Sequence, residues 1–275
     1  MKVVTIARNQ KNSPNMTAND AAILSSVTEE LAIMGAEVVA IDENGDIPED
    51  ADAVCHMSRT PKVLDKLKKA EENGIAVINT PDSIANSSRI RMMELMEKQN
   101  IPQPEFCVIE KEEELNGRTY PAWIKRGTGW SCHKNDVCYV TDKKEALEAI
   151  EGMRQRGIDC FVYTAHCKGD IIKFYGVENS YFTYSYPIAG NTKFGLEKIN
   201  GTAKHYPFDA KSMQRMVVKA AEAIGLTIYG GDCIVDDKGN ISLIDLNDFP
   251  SFSSVREEAS KEIARSIINT KKTKK

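Results

Sequence analysis

The sequence predicts an α/β N-terminal domain, a small open parallel sheet with helices packed on it, followed by a second region of paired strands and helices that ends in an acidic hairpin. Three observations carry this expectation. Short apolar runs alternate with helix-period segments as far as residue 100. Ile101-Pro-Gln-Pro104 then breaks the chain as a domain boundary does, because proline bars helix continuation and pushes the residue before it to extended backbone. Late in the chain, Ile228 to Asp236 and Ile241 to Asn247 are strand patterns separated by the turn sequence Asp237-Lys-Gly-Asn240.

Taken in order, Lys2 to Ala7 reads as a short buried strand, followed by a polar loop from Arg8 to Asn15. Ala22, Ile23, Val27, Leu31 and Met34 recur at helical spacing and stop at Gly35. Glu37 to Ile41, Ala51 to Cys55 and Ile75 to Asn79 are further strands, with a lysine-rich helix from Pro61 to Asn73 before the last of them. No G-x-G-x-x-G follows the first strand, so no dinucleotide site is expected there. A helix from about Ser83 to Gln99 carries Arg89 and Arg91. Beyond the proline break come a strand at Pro121 to Arg126, its partner at Val137 to Val140, and an amphipathic helix from Lys143 to Gly157. A strand at Cys160 to Tyr163, a polar link from Thr164 to Gly169 and a strand at Asp170 to Val177 follow. Glu178 to Phe208 shows no clear period, and helices at Ala210 to Ile224 and Ser253 to Ile268 flank the hairpin.

At 275 residues the chain can bury a sizeable core. Its formal charge of -4 gives no general basic field, so nucleic acid is not an expected partner. No apolar run reaches the roughly 20 residues of a membrane span, and Met1 leads straight into a strand pattern rather than a signal peptide, so no membrane partner and a cytoplasmic location are expected. The seven cysteines show no C-x-x-C, and reduced core thiols are expected; Cys132-His133 and His166-Cys167 lack zinc-ligand spacing. The basic tail Lys271 to Lys275 reads as a solvated terminus. The sequence sets no oligomeric state.

Chemistry concentrates in the hairpin. If Asp236 faces Ile241, Asp232 lies directly opposite Asp245, and Asn247 points to the same face as Asp245. Cross-strand neighbours sit about 5 Å apart, where two carboxylates repel, so that register needs a cation between them. Two carboxylates and an amide oxygen suit Mg2+, with Mn2+ also possible, completed by waters and substrate phosphates. A solvated acidic ribbon is the bland alternative. Cys233, Ile234, Val235, Leu243, Ile244 and Leu246 make both faces too apolar for it and put the acids in a cleft. A second local signal is Ile124-Lys125-Arg126 opening into Gly127-Thr-Gly-Trp-Ser131: an ammonium at a strand end beside a glycine loop can surround phosphates, although such a loop is often only a turn.

The order of α/β domain, Arg89 helix, I-P-x-P, strand with Lys125 and a glycine loop, strand-link-strand, and D-x12-D-x-N followed by Phe249-Pro250 resembles the ATP-grasp superfamily over nearly the whole chain. The resemblance implies an α+β ATP-grasp fold of two subdomains gripping ATP behind the N-terminal domain, divided as 1–100, 101–180 (phosphate loop) and 181–275 (metal site). It implies Asp232, Asp245 and Asn247 as magnesium ligands, Lys125 and Arg89 on the nucleotide phosphates, and Gly127, Thr128, Gly129 and Ser131 in the covering loop. Tyr163, Thr164, Ala165 and His166 match the connector whose backbone meets adenine, and Lys173 matches a basic residue facing the phosphates or acceptor. Asp170 is a candidate for ribose, or a partner for Lys173. Arg89 and Lys173 are the implied catalytic cations. His133, Arg59 and Arg8 are candidate substrate contacts whose alternatives are a loop histidine and surface cations.

Two branches of the family are in play. Carboxylate–amine ligases resembling the ribosomal-protein glutamate ligases and glutathione synthase commonly have Glu-x-Asn in the last motif, whereas this chain has Asp245-Leu-Asn247; they also place an arginine in the region where Glu178 to Phe208 has none. Asp-x-Asn, Arg89, Lys173 and His133 resemble the inositol polyphosphate kinases instead, but their His-Lys-x-Thr pattern appears here as His56-Met-Ser-Arg59. The ligase, acting through an acyl phosphate on a small-molecule carboxylate and an amine, is narrowly ahead of a kinase acting on a phosphorylated polyol. A non-catalytic nucleotide-binding module is third.

Overall fold

The computed structural model describes residues 1–13, 16–131, 133–187 and 197–273. Asn15, Cys132, Lys274 and Lys275, named above, and residues 188–196 of the stretch without clear period lie outside the described residues. Three four-stranded sheets organise the chain. The first is β1 (Lys2–Ile6), β2 (Glu37–Ile41), β3 (Ala53–His56) and β4 (Ala76–Ile78), in the order β2-β1-β3-β4 with every pair parallel. Helices α1 (Thr17–Ile33) and α2 (Pro61–Glu72) provide the crossovers. This is the small open parallel sheet that the apolar alternation predicts.

The second sheet, β5 (Phe106–Ile109), β6 (Ala122–Arg126), β7 (Val137–Val140) and β8 (Phe161–Ala165), is antiparallel in the order β5-β8-β6-β7. Helix α5 (Lys143–Arg154) covers one face through Ala146, Ile150 and Met153. The third sheet is also antiparallel: β9 (Asp170–Val177), β10 (Tyr181–Ser185), β11 (Ile228–Val235) and β12 (Ile241–Asp248), ordered β10-β9-β11-β12. The short α6 (Glu197–Asn200) precedes α7 (Ala210–Ile224), whose Met213, Val217 and Ala220 pack on this sheet. Helix α8 (Arg256–Thr273) returns to the first sheet, so α1, α8, β3 and β9 share one core around Val27, Ile263, Cys55 and Val177. The expected division at residue 180 falls inside the third sheet, between β9 and β10, whereas the chain changes sheet between Ala165 and Asp170. No helix among the described residues is long and apolar enough to cross a membrane.

Several expectations change in detail. The single helix over 83–99 is two: α3 (Pro81–Asn86), whose N-terminus is closed by the Thr80 hydroxyl accepting from Ser83 N, and α4 (Arg89–Lys98). Ser87 Oγ donates back to Ser83 O, and Ser88 is extended, which ends one helix and starts the next. β8 runs on through Ala165, so the expected connector begins only at His166. β5 and β10 were not expected; both are sheet edges, and half-exposed strands carry a weak apolar signature.

The hairpin register is the most consequential difference. Near the turn, Val235 pairs with Ile241, one residue away from the expected pairing. A regular ladder from there would set Asp232 against Ile244. A bulge at Asp232/Cys233 leaves Ile244 unpaired and restores the expected match, Asp232 opposite Asp245.

Candidate functional site

A cleft of about 250 Å³ opens between the second and third sheets, closed at one end by α4 and the first domain. Because facing residues of a ladder share a side of the sheet, Trp123 and Thr164 stand together on the cleft face of the second sheet, and Lys125 follows two residues along β6. Across the cleft, one row of the third sheet carries Lys173, Asp232 and Asp245 on β9, β11 and β12. Asn247, two residues on, shares that face and its side-chain amide donates to Asp245 Oδ2 at 2.7 Å.

The like-charge problem posed by Asp232 and Asp245 is met by Lys173, whose ammonium lies 3.0 Å from Asp232 Oδ1. Burial lowers the Lys173 pKa, but Asp232 and then the other anions outweigh it and hold it above the ordinary lysine value. Burial raises the Asp232 pKa against the pull of Lys173, and Asp245 raises it further. Opposite, Lys125 forms no hydrogen bond or ion pair among the described residues. Burial first, and the neighbouring Arg89 second, lower its pKa to about 8, with Asp245 pulling the other way. Arg89, in the first turn of α4, donates Nε to Arg126 O at 2.9 Å and Nη2 to Ser131 Oγ at 3.2 Å. Its pKa is lowered by burial, opposed by Asp245 and Asp136. Two acids and an amide on one wall have oxygen donors that would suit a hard divalent ion, and a lysine whose side chain has no partner among the described residues faces them. Among the described residues no three His, Cys, Asp or Glu side chains cluster to hold a metal.

The glycine loop is held at several points. Gly127 N donates to Cys160 O at 2.8 Å, and Cys160 Sγ would lie 2.6 Å from any Cβ there, so this position needs glycine for packing. Arg126 Nε folds back onto Thr128 O at 2.6 Å, and Gly129 adopts φ +66. Gly129, Trp130 and Ser131 line the cleft, whereas Gly127 and Thr128 do not. At the far end, Trp123 Nε1 donates to His166 Nδ1 at 3.1 Å, which leaves the imidazole proton on Nε2. Tyr139 packs edge-on against both rings. Burial, and then Lys168, lower the His166 pKa and keep it neutral.

Arg59, Arg89, Lys125, Gly129, Ser131, Thr164, Ala165, His166, Lys173, Asp232, Asp245 and Asn247 therefore converge on the cleft, and six other candidates do not. Tyr163 is fully buried on the α5 side of β8, its hydroxyl bonded to Thr119 O and its backbone paired with Cys107 and Ile124. A mid-sheet backbone has no free edge to offer a ligand. Asp170 neither meets Lys173 nor lines the cleft: its two oxygens accept from Lys204 N at 2.7 Å and Tyr206 N at 2.8 Å. His133 is exposed and accepts from Asn135 N. Arg8 is buried and clamps the first domain to the last strand, donating to Met57 O, Asp20 Oδ2 and Phe249 O. Burial, with the adjacent Arg59, lowers its pKa to about 10. Arg59 lines the cleft, yet its Nε and Nη2 both go to Asp248. Sequence reasoning missed Trp123, Trp130 and Asp248. The first two sit beside Lys125 and inside the glycine loop, and the third directly follows Asn247, so adjacency was the available signal.

No protein-family model matches the sequence, and no curated protein matches it. Solved structures do. A RimK-domain ATP-grasp protein from Sphaerobacter thermophilus superposes with a TM-score of 0.70 at 17% identity, covering 98% of this chain and 100% of that one. D-alanine–D-alanine ligase from Bacillus anthracis gives 0.73 at 13%, covering 100% of both chains. The ATP-grasp ligase PsnB gives 0.67 at 17%, covering 98% of each. The chain has the ATP-grasp fold. The likeness extends over essentially the full length of each of these chains.

Proposed function

We propose that the protein is an ATP- and Mg2+-dependent ligase that joins a carboxylate to an amine through an acyl phosphate. The observation that carries this reading is the pairing, across one cleft, of the half-buried Lys125, whose side chain has no partner among the described residues, with the Asp232–Asp245–Asn247 wall. Neighbours of the same fold support it: PsnB has been solved with a minimal precursor, Mg and ADP, and the B. anthracis ligase with ATP.

In this reading Asp232, Asp245 and Asn247 hold the divalent ion, which when bound cancels charge on the triphosphate. Lys125 and Arg89 hold the nucleotide phosphates, with Gly129 and Ser131 above them. Trp123, Thr164, Ala165 and His166 line the base end, while Lys173 turns from Asp232 toward the transferring phosphoryl group. An acceptor carboxylate oxygen takes the γ-phosphoryl group and ADP leaves. An amine nitrogen then attacks the acyl carbon, phosphate departs, and the nitrogen gives up a proton. The protein's part is orientation and fixed positive charge in a closed cleft.

A kinase acting on a phosphorylated polyol draws on Asp245-Leu-Asn247 and Lys173, but a polyanionic acceptor needs free cations on the first-domain side. There Arg8 and Arg59 are both committed to Asp248, which weighs against it. The test is ADP release with Mg2+, ATP and a pool of small carboxylates and amines, with hydroxylamine as trapping amine. A hydroxamate and amine-dependent ADP release are expected. A stable phosphorylated polyol formed without amine would replace the ligase by the kinase, and tight ATP binding with no turnover would leave a regulatory module.

A further inference from the structure

The glycine loop touches the first domain at one aromatic contact. The Trp130 ring lies over the Arg59 guanidinium, 4.8 Å from ring centroid to Cζ. Arg59 is not a loose surface cation. Its side chain is only 8% exposed, and its Nε (3.1 Å) and Nη2 form a two-pronged bond to Asp248, which is 1% exposed. A planar guanidinium fixed along one edge is held rigidly, and its carbon sits over the indole ring. Asp248 directly follows Asn247 on β12, and Arg8 Nη2 adds a second bridge to it at 3.5 Å. A single chain of contacts thus runs from the loop above the cleft, through Trp130, Arg59 and Asp248, to the strand that carries the implied metal ligands. Next to Trp130, at the same end of the loop, Arg89 Nη2 donates to Ser131 Oγ, and the other end is tied by Gly127 N donating to Cys160 O.

We infer that Trp130 and Arg59 are a positioning pair that latches the Gly127-to-Ser131 loop shut over the nucleotide and sets how fast nucleotide enters and leaves. The inference rests on the nucleotide reading of the cleft. Its distinctive consequence is kinetic. The contact joins two side chains of the protein and uses no ligand atom, so its strength bears on the passage of nucleotide in both directions. Breaking it should therefore raise entry and exit rates together, whereas a residue that merely touches nucleotide would change exit alone. Lysine at position 59 keeps the charge but loses both the flat face and the fork.

The experiment is stopped-flow fluorescence with a methylanthraniloyl derivative of ADP and Mg2+, on the full chain and on the variants Trp130→Ala, Trp130→Phe and Arg59→Lys. Trp130→Ala is expected to raise both rate constants about tenfold, the equivalent of a contact of about 1.4 kcal/mol, with Kd changed less than threefold. Trp130→Phe should fall between, and Arg59→Lys should resemble Trp130→Ala. Unchanged rates in Trp130→Ala, or faster exit with unchanged or slower entry, would overturn the latch. Should Arg59→Lys fail to fold, the two Trp130 variants decide alone, since that side chain sits on an outer loop. A wild-type protein that does not bind the probe would instead overturn the nucleotide reading itself, and the latch with it.

Discussion

Lys125 offers the sharpest test, because the same feature predicts a stability effect and a binding effect of opposite sign. Its drop from an ordinary 10.5 to about 8 corresponds to a penalty of about 3 kcal/mol for keeping the ammonium charged in place, at about 1.4 kcal/mol per pH unit. Solvent reaching the half-buried group trims this to about 1 to 3 kcal/mol. Lys125→Met fills the same space with an apolar chain, and no hydrogen bond among the described residues is lost, so the variant should be more stable than wild type by that amount in urea unfolding at pH 7. The sign follows from proton counting. Below pH 8 folded and unfolded chains both hold the proton and the penalty is full. Between about 8 and 10.5 the unfolded chain holds more protons, so wild type gains stability as pH rises and the variant's advantage fades. Phosphate restores the charged form, so ADP with Mg2+ binding to wild type at pH 8 should take up about half a proton, and almost none at pH 6.5. Calorimetry in two buffers of different ionisation heat reads this directly. A variant less stable than wild type, or nucleotide binding at pH 8 with no proton uptake, would refute the assignment of Lys125 as a charge held ready for phosphate.

Three further outcomes follow from the same geometry. Asp245→Asn removes one of two facing carboxylates without changing shape, so unfolding midpoints should stay near wild type while Mg2+-dependent nucleotide affinity falls about tenfold or more; an unaltered Mg2+ titration would remove Asp245 from the ligand set. Asp170→Ala strands the backbone N–H groups of Lys204 and Tyr206, costing about 2 to 4 kcal/mol of stability and leaving nucleotide affinity within twofold; intact stability with lost affinity would reinstate Asp170 as a ribose contact. Lys173→Met leaves Asp232 and Asp245 facing each other without the ammonium, costing about 1 to 2 kcal/mol in divalent-free buffer because solvent screens this partly exposed pair. Added Mg2+ should then raise its Tm more than it raises that of wild type, and an equal rise would show that the ammonium does not relieve the pair.

What was legible in the sequence was whatever depends on strong apolar periodicity or on covalent neighbourhood. The first sheet, the helices at 143–154 and 210–224, and the acid pair fall in that class. The edge strands β5 and β10 did not, because an edge needs apolar residues on one side only and for four or five positions. Two of the candidates that missed the cleft share a different cause. Asp170 and Arg8 have polar side chains buried where the backbone or a distant carboxylate needs a partner, and those partners, Lys204 N and Phe249 O, lie 34 and 241 positions away. A sequence read by local pattern sees the polar group but not the remote group that satisfies it, so each looks like a ligand contact.

The acid pair itself was reached by a register that is one residue off at the turn, and the structure explains why the outcome still held. Ile244 is extra in β12, and its bulge returns Asp245 to face Asp232. Such a bend brings the two backbones close, and the chain makes room with Gly230 and Gly231. A Cβ on Gly231 would lie 2.0 Å from Asp245 O, and one on Gly230 2.8 Å from Pro250 Cγ. Two glycines inside an otherwise apolar strand weaken it by lost packing and backbone entropy, so their presence at Tyr229-Gly-Gly-Asp232 needs a reason that strand formation does not supply. The close approach supplies it. Side chains at 230 and 231 would push β12 outward, flatten the bulge and slide Asp245 off the row it shares with Lys173 and Asp232, so the glycine pair fixes that row as directly as the acids that make it.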